Sequence, residues 1–279
     1  MLPQARVIHL HKNLPQAPED HPDFWAIWRG VIRDAHPAPL DFVFGSDAYL
    51  FRLAEKLGAA PVLVDPDREI FPVSGSAIRK DAAAHWSMIS GPVRPHFQRR
   101  LMLLAPESVG KTRLAADLAR HFSTMRMPEY GRAYDVHYKQ GRNWRADDLV
   151  ALAATHRAMR DAMRRDAGPL LIEDTDAIQT AVWSRHLVGD IAPALAEIEA
   201  ATIADHYLVL APDVAWVGDG VRYAGDEATR AFFFEEAKRR LRHYGAAFDV
   251  ISGGDWASRR ALAIRLAEKK FGTPLQSSR

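Results

Sequence analysis

Residues 101–122 read LMLLAPESVGKTRLAADLARHF, and this stretch decides how the rest of the chain is read. Leu101 to Ala105 form an apolar run behind Arg99 and Arg100, the pattern of a strand buried on both faces. After Gly110-Lys111-Thr112, Leu114, Leu118 and Phe122 recur four apart with Ala115 and Ala119 beside them, while Arg113, Asp117 and Arg120 take the other face. That spacing makes an amphipathic helix. Strand, loop, Gly-Lys-Thr and helix together give the context of a phosphate-binding loop, in which backbone N–H groups and the helix N-terminus hold phosphate oxygens. Glu107, Ser108, Val109, Gly110, Lys111, Thr112 and Arg113 are therefore the expected nucleotide-binding residues. Lys111 is expected to reach the β- and γ-phosphates of ATP, and the Thr112 hydroxyl to sit on Mg²⁺. One position departs from G-x-x-x-x-G-K-[ST]. Ala105 stands where the first glycine belongs, and Pro106 behind it has no N–H to offer a phosphate.

The composition bounds the class. With 279 residues, 48% hydrophobic and 26% charged, the chain has the make-up of an ordinary globular protein of one large or two small domains. A formal net charge of +2 calls for neither nucleic acid nor an anionic membrane as partner. The absence of cysteine excludes disulfides and thiolate metal sites and suits a reducing compartment. There is no apolar run of membrane-spanning length and no basic-then-apolar N-terminus. A cytoplasmic enzyme is expected, with a homo-oligomer left open.

Upstream of the loop, residues 6–10 predict a strand, 24–32 a helix behind Asp23, 41–44 a strand, 48–57 a helix stopped by Gly58, and 61–64 a strand. This alternation implies a parallel α/β unit. SGSAIR, residues 74–79, predicts a short helix capped by Ser74 or Ser76, and the glycine and prolines of 91–95 mark a linker. Downstream, strands are expected over 101–105, 125–128, 170–173, 207–210 and 247–251. Helices are expected over 147–165, 191–204, 227–244 and 258–270. Five strands with covering helices predict a doubly wound parallel sheet, whose ligands bind at the strands' carboxyl ends.

The residues that carry chemistry fall at those ends. Asp174 and Asp176 close the strand LLIEDTD, where a carboxylate can hold Mg²⁺ against the β- and γ-phosphates; capping of a following helix is the alternative. Glu129 and Arg132 end the second strand. Glu129 can take a proton from an acceptor hydroxyl while Arg132 holds that carboxylate or the phosphates. From spacing alone a surface ion pair remains open. Residues 213–230 carry glycines at 218, 220 and 225 and read as either a lid over phosphates or a plain surface loop. As a lid, the segment would bring Arg222 and Arg230 to the charge on the transferring group. His9, His11, His156 and His186 show no metal-ligand pattern and are expected to be structural or solvated. Trp144 and Trp216 can stack a flat ring, with core packing as the alternative.

Taken together, Glu107-Ser108 before Gly110-Lys111-Thr112, Glu129-Tyr130-Gly131-Arg132, Asp174-Thr175-Asp176, and Trp216 with Asp219-Gly220 and Arg222 resemble the ribosylnicotinamide kinase domain of NadR-type NAD-biosynthesis proteins. Phe44-Gly45-Ser46-Asp47-Ala48-Tyr49, Asp65 with Arg68, and Ser74-Gly75-Ser76-Ala77-Ile78-Arg79 with Trp86 are similar to the later half of that family's nicotinamide-mononucleotide adenylyltransferase domain. The likeness implies a truncated adenylyltransferase-like, partly Rossmann-like unit over 1–92 and a P-loop kinase-type domain over 96–279. It implies ATP- and Mg²⁺-dependent phosphorylation of the 5′-hydroxyl of nicotinamide riboside. Lys111, Glu129, Asp174 and Arg222 would be catalytic. Arg230 would join the nucleotide site, and Glu129, Tyr130, Arg132, Asp176 and Trp216 would hold the riboside. Two features depart from the family: Ala105 and Pro106 replace its usual glycines, and nothing like its G-x-F-x-P-x-H-x-G-H triphosphate segment precedes Phe44. The rival readings are an adenylyltransferase, whole or fragment, and a nucleotide-sensing regulator without turnover.

Overall fold

The computed structural model describes residues 6–215 and 225–273. They divide into two compact units, over 1–80 and 81–279. No helix among the described residues is long and apolar enough to cross a membrane.

In the first unit, α1 (Phe24–Ala35) precedes β1 (Phe42–Gly45), α2 (Tyr49–Leu57) and β2 (Ala60–Leu63). The two strands pair in parallel, from Phe42 opposite Ala60 to Gly45 opposite Leu63, with α2 as the crossover. Helix α2 buries Leu50, Ala54 and Leu57 and stops at Gly58, whose φ of +70° suits glycine. A short helix, Gly75–Lys80, starts where Ser74 Oγ accepts the Ala77 N–H at 3.0 Å. The strand expected over 6–10 does not form. Val7, Ile8 and Leu10 stay exposed, because no neighbouring strand offers them a ladder.

The second unit takes in the stretch read as a linker. Trp86 Nε1 donates to the Ala167 carbonyl at 3.0 Å and Arg94 to the Arg165 carbonyl at 3.3 Å, so residues 81–97 pack within that unit. Its strands are β3 (Arg99–Leu104), β4 (Arg126–Met127), β5 (Leu170–Asp174), β6 (His206–Leu210) and β7 (Phe248–Ile251). They form one parallel sheet in the order β4-β5-β3-β6-β7. Among the described residues its helices of eight residues or more are α3 (Lys111–His121), α4 (Ala146–Met163), α5 (Ala177–Leu187), α6 (Pro193–Ala200), α7 (Glu227–His243) and α8 (Trp256–Phe271). Leu101 and Leu103 of β3 pack under α3 and α8, whereas Met102 and Leu104 pack under α5 and α7. Both faces of β3 are thus covered, which is why it reads as an unbroken apolar run. From β3 the chain first builds one side of the sheet and then crosses to the other. The loop after β3 therefore lies at the switch point where an open α/β sheet binds its ligands.

Candidate active site

The loop after β3 has the backbone of an anion cradle. Ser108 and Gly110 lie at φ +64° and +83°, on either side of the buried Val109. Left-handed residues placed this way turn successive N–H groups to one side, at the N-terminus of α3. Gly110 is fixed twice over: any Cβ there would come within 2.6 Å of the Trp256 ring. Ala105 and Pro106 are absent from the positive-φ positions, so the turn does not need glycine there. The Ala105 N–H is turned instead to Gln179 Oε1, at 3.3 Å.

Lys111, the first residue of α3, brings the loop to the ends of the neighbouring strands. Its ammonium donates to the Asp174 carboxylate, to Thr175 Oγ1 at 2.7 Å and to Glu129 Oε2 at 3.3 Å. Asp174 ends β5 fully buried, and its other oxygen takes Arg126 at 3.3 Å. Burial opposes the charge on Lys111, but the Glu129 and Asp174 carboxylates outweigh it and hold the ammonium's pKa above its ordinary value. Thr175 sits at φ +98°, a strained place for a β-branched residue and one that such a site can impose.

A cavity of about 530 Å³ opens from the loop. Residues 107–113 line it, as do Glu129, Tyr130 and Arg132, so most of the expected site residues are gathered on one wall system. Trp144 also faces it and stacks on Tyr134, with ring centroids 5.9 Å apart. Thr175 of the Asp174-Thr175-Asp176 motif lines it too, as do Arg126, Gln179 and Trp183, which are not among the expected site residues. Arg126 had a signal, as a cation inside the short apolar strand MRM. Gln179 and Trp183 had none, because α5 is buried on nearly every side and shows no amphipathic stripe. His156 is buried on the same wall, and its Nε2 has no partner among the described residues. Burial lowers its pKa, which favours the neutral imidazole.

Asp176 and Arg230 spend their side chains elsewhere. Asp176 does not line the cavity. Its carboxylate caps α5, accepting from the Ile178 and Gln179 N–H groups at 2.9 and 3.2 Å, and it takes the Tyr207 hydroxyl at 3.0 Å. The capping alternative describes that side chain, and its expected role as a riboside ligand has no geometric support. Arg230, in the first turn of α7, donates to the Val214 carbonyl at 2.8 Å and lies off the cavity wall. Trp216 and Arg222, with Asp219 and Gly220, lie outside the described residues.

The buried Asp176 has a measurable consequence. Burial pushes its pKa up from the ordinary 3.8 to about 6, so the fold favours the protonated acid. Its contribution to stability is complete below about pH 4 and is lost as pH rises through about 6. Relative to wild type, Asp176→Asn should therefore gain about 2 kcal/mol between pH 4 and 7.5, whatever constant cost the altered cap adds. Urea midpoints of both proteins across that range check this; a pH-independent difference would show that Asp176 titrates normally.

A family model described as the AAA domain matches residues 100–259. The chain belongs to the AAA-domain family. The match runs from β3 to Arg259 in α8 and so contains the cradle, Lys111 and the cavity wall. The chain is 26% identical over 271 residues to the trifunctional NAD biosynthesis/regulator protein NadR of Salmonella typhimurium. That alignment covers 95% of this AAA-domain protein and 66% of the relative, just under two thirds of its length. Among solved structures, NadR in complex with NR superposes with a TM-score of 0.71 at 21% identity, covering 96% of this chain and 78% of that one. NadR in complex with NAD and AMP-PNP gives 0.70 at 21%, covering 92% and 76%. These superpositions establish a shared α/β fold.

Proposed function

We propose that the chain is a kinase of NAD salvage that moves the γ-phosphoryl group of ATP to the 5′-hydroxyl of nicotinamide riboside, giving nicotinamide mononucleotide. The observation that carries this reading is the Lys111 ammonium, seated at the mouth of an anion cradle between two carboxylates and beside a cavity large enough for a riboside. The likeness to NadR and the resemblance of the motifs to its kinase domain support the same reading. In it, the loop N–H groups and Lys111 hold the phosphates. Glu129 orients the acceptor hydroxyl, and Arg132 and Tyr130 line the acceptor side. Positioning and neutralisation of charge supply most of the catalysis, as in phosphoryl transfer generally.

Thr112 and Asp174 would hold Mg²⁺, which supplies charge neutralisation along the phosphates. No three acidic or imidazole side chains among the described residues converge as a metal cage. A Mg²⁺ held by one carboxylate, a hydroxyl and substrate phosphates needs none. ADP release measured over a panel of ribosides tests the reading; tight ATP binding with no riboside-dependent release would favour a regulator instead.

The first unit is read as adenylyltransferase-like. Its small pocket, about 350 Å³, is lined by Phe44, Ser46, Asp65 and Arg68 among others. The Asp65 carboxylate is engaged by the Glu69, Ile70 and Phe71 N–H groups at 2.9, 3.1 and 2.8 Å, which tie its own loop together. Residues 1–279 carry no G-x-F-x-P-x-H-x-G-H segment to hold a triphosphate there. The purified chain should accordingly form no dinucleotide from ATP and nicotinamide mononucleotide. Chromatographic detection of NAD above a no-enzyme control would overturn this.

A further inference from the structure

The cradle's shape depends on a residue well outside it. Arg259, in the first turn of α8, is 1% exposed, and its guanidinium reaches three loops at once. Nε donates to the Gly253 carbonyl at 2.6 Å and Nη1 to the Val109 carbonyl at 3.3 Å. Nη2 donates to the Ala211 carbonyl at 2.8 Å and to the Asp213 carboxylate. Asp213 in turn accepts the Gly253 N–H at 2.7 Å, closing the network. Trp256, three residues earlier, presses its ring on Gly110, and the Arg113 guanidinium lies 4.4 Å from that ring's centroid.

The first turn of α8 therefore grips the loop from behind at consecutive points. The Val109 carbonyl and the Gly110 N–H share one peptide plane, so pinning the carbonyl fixes the direction of that N–H. Ser108, at φ +64°, holds a conformation that a non-glycine residue keeps only when its surroundings impose it. An apolar residue at 259 would fill space but make none of these bonds.

We propose that Arg259 is a positioning residue that holds the loop after β3 in its phosphate-receiving shape, so that affinity for the nucleotide is set from the C-terminal helix. The proposal rests on the reading of that loop as the nucleotide site and not on the identity of the acceptor. It is tested on the whole chain with Arg259→Met and the milder Arg259→Lys, measuring ADP binding by calorimetry, the KM for ATP and for riboside, and the melting temperature. Arg259→Met should weaken ADP binding and raise the ATP KM by about tenfold or more, with the riboside KM within about twofold of wild type. Arg259→Lys keeps the charge but cannot span three loops, and should fall between the two. Lower melting temperatures with unchanged ADP affinity in both variants would overturn the proposal, and so would equal losses of ADP and riboside affinity. Wild-type chain that binds ADP but turns over no riboside would count against the kinase reading alone. Riboside turnover together with wild-type ADP affinity in Arg259→Lys would count against Arg259 alone.

Discussion

Replacing Lys111 by alanine is expected to lower riboside-dependent ADP release by about 10³-fold or more, the scale on which a positioned cation contributes to phosphoryl transfer. The other cation in the first turn of α3, Arg113, lies over the Trp256 ring at 4.4 Å, and Pro106 adds no N–H to compensate. The same substitution should also disturb the fold. Lys111 is the partner that Asp174 and Glu129 share, and without it the fully buried Asp174 keeps, among the described residues, only the Arg126 cation. Breaking a buried pair on one side strands the remaining charge and typically costs about 3–5 kcal/mol. The two effects are separable. Adding Asp174→Asn to Lys111→Ala removes the stranded charge and should recover stability without recovering turnover. Urea denaturation and ADP release on the two variants read the two effects independently. A folded Lys111→Ala protein with near wild-type turnover would sink the phosphate-binding role of this loop and the kinase reading with it.

The sequence carries the sheet strongly and its surroundings unevenly, and the reasons are physical. β3, β5 and β6 are covered on both faces, so each carries an unbroken apolar run (101–104, 170–172 and 207–210) and is legible within a residue or two. Helix α5 is equally buried, but uniform burial erases the stripe by which a helix is recognised, and Gln179 and Trp183 were lost with it. The pair in LLIEDTD could not be divided from sequence. Asp174 reaches the site because it ends the strand, whereas Asp176 stands at the N-cap and spends its carboxylate on α5. The glycine pattern overstated what the loop needs: positive φ falls at Ser108 and Gly110, not at Ala105 or Pro106. Arg259 was beyond reach because its partners lie in three loops distant along the chain, and no local spacing encodes that convergence.

The two carboxylates on Lys111 should fail in different ways, because the fold gives them different surroundings. Asp174 is fully buried at the end of β5, next to the cradle strand, with one oxygen on Lys111 and the other on Arg126. Glu129 follows β4, one strand further out, and its side chain is 35% exposed on the cavity wall. A partly open carboxylate beside the acceptor space can meet a hydroxyl; a buried one beside the cradle is suited to the metal and to Lys111. Because the transition state of phosphoryl transfer is loose, Glu129 acts more by orienting the 5′-hydroxyl than by removing its proton. Glu129→Gln should then lower kcat by about 10²-fold while leaving the Mg²⁺ and ATP dependence near wild type. Asp174→Asn should instead raise the Mg²⁺ concentration for half-maximal rate by about tenfold or more, since Mg²⁺ loses its carboxylate from the protein. Separate titrations of Mg²⁺ and riboside against each variant distinguish the roles. If Asp174→Asn leaves the Mg²⁺ response unchanged while Glu129→Gln shifts it, the assignments are reversed, and the metal belongs on the β4 side of Lys111.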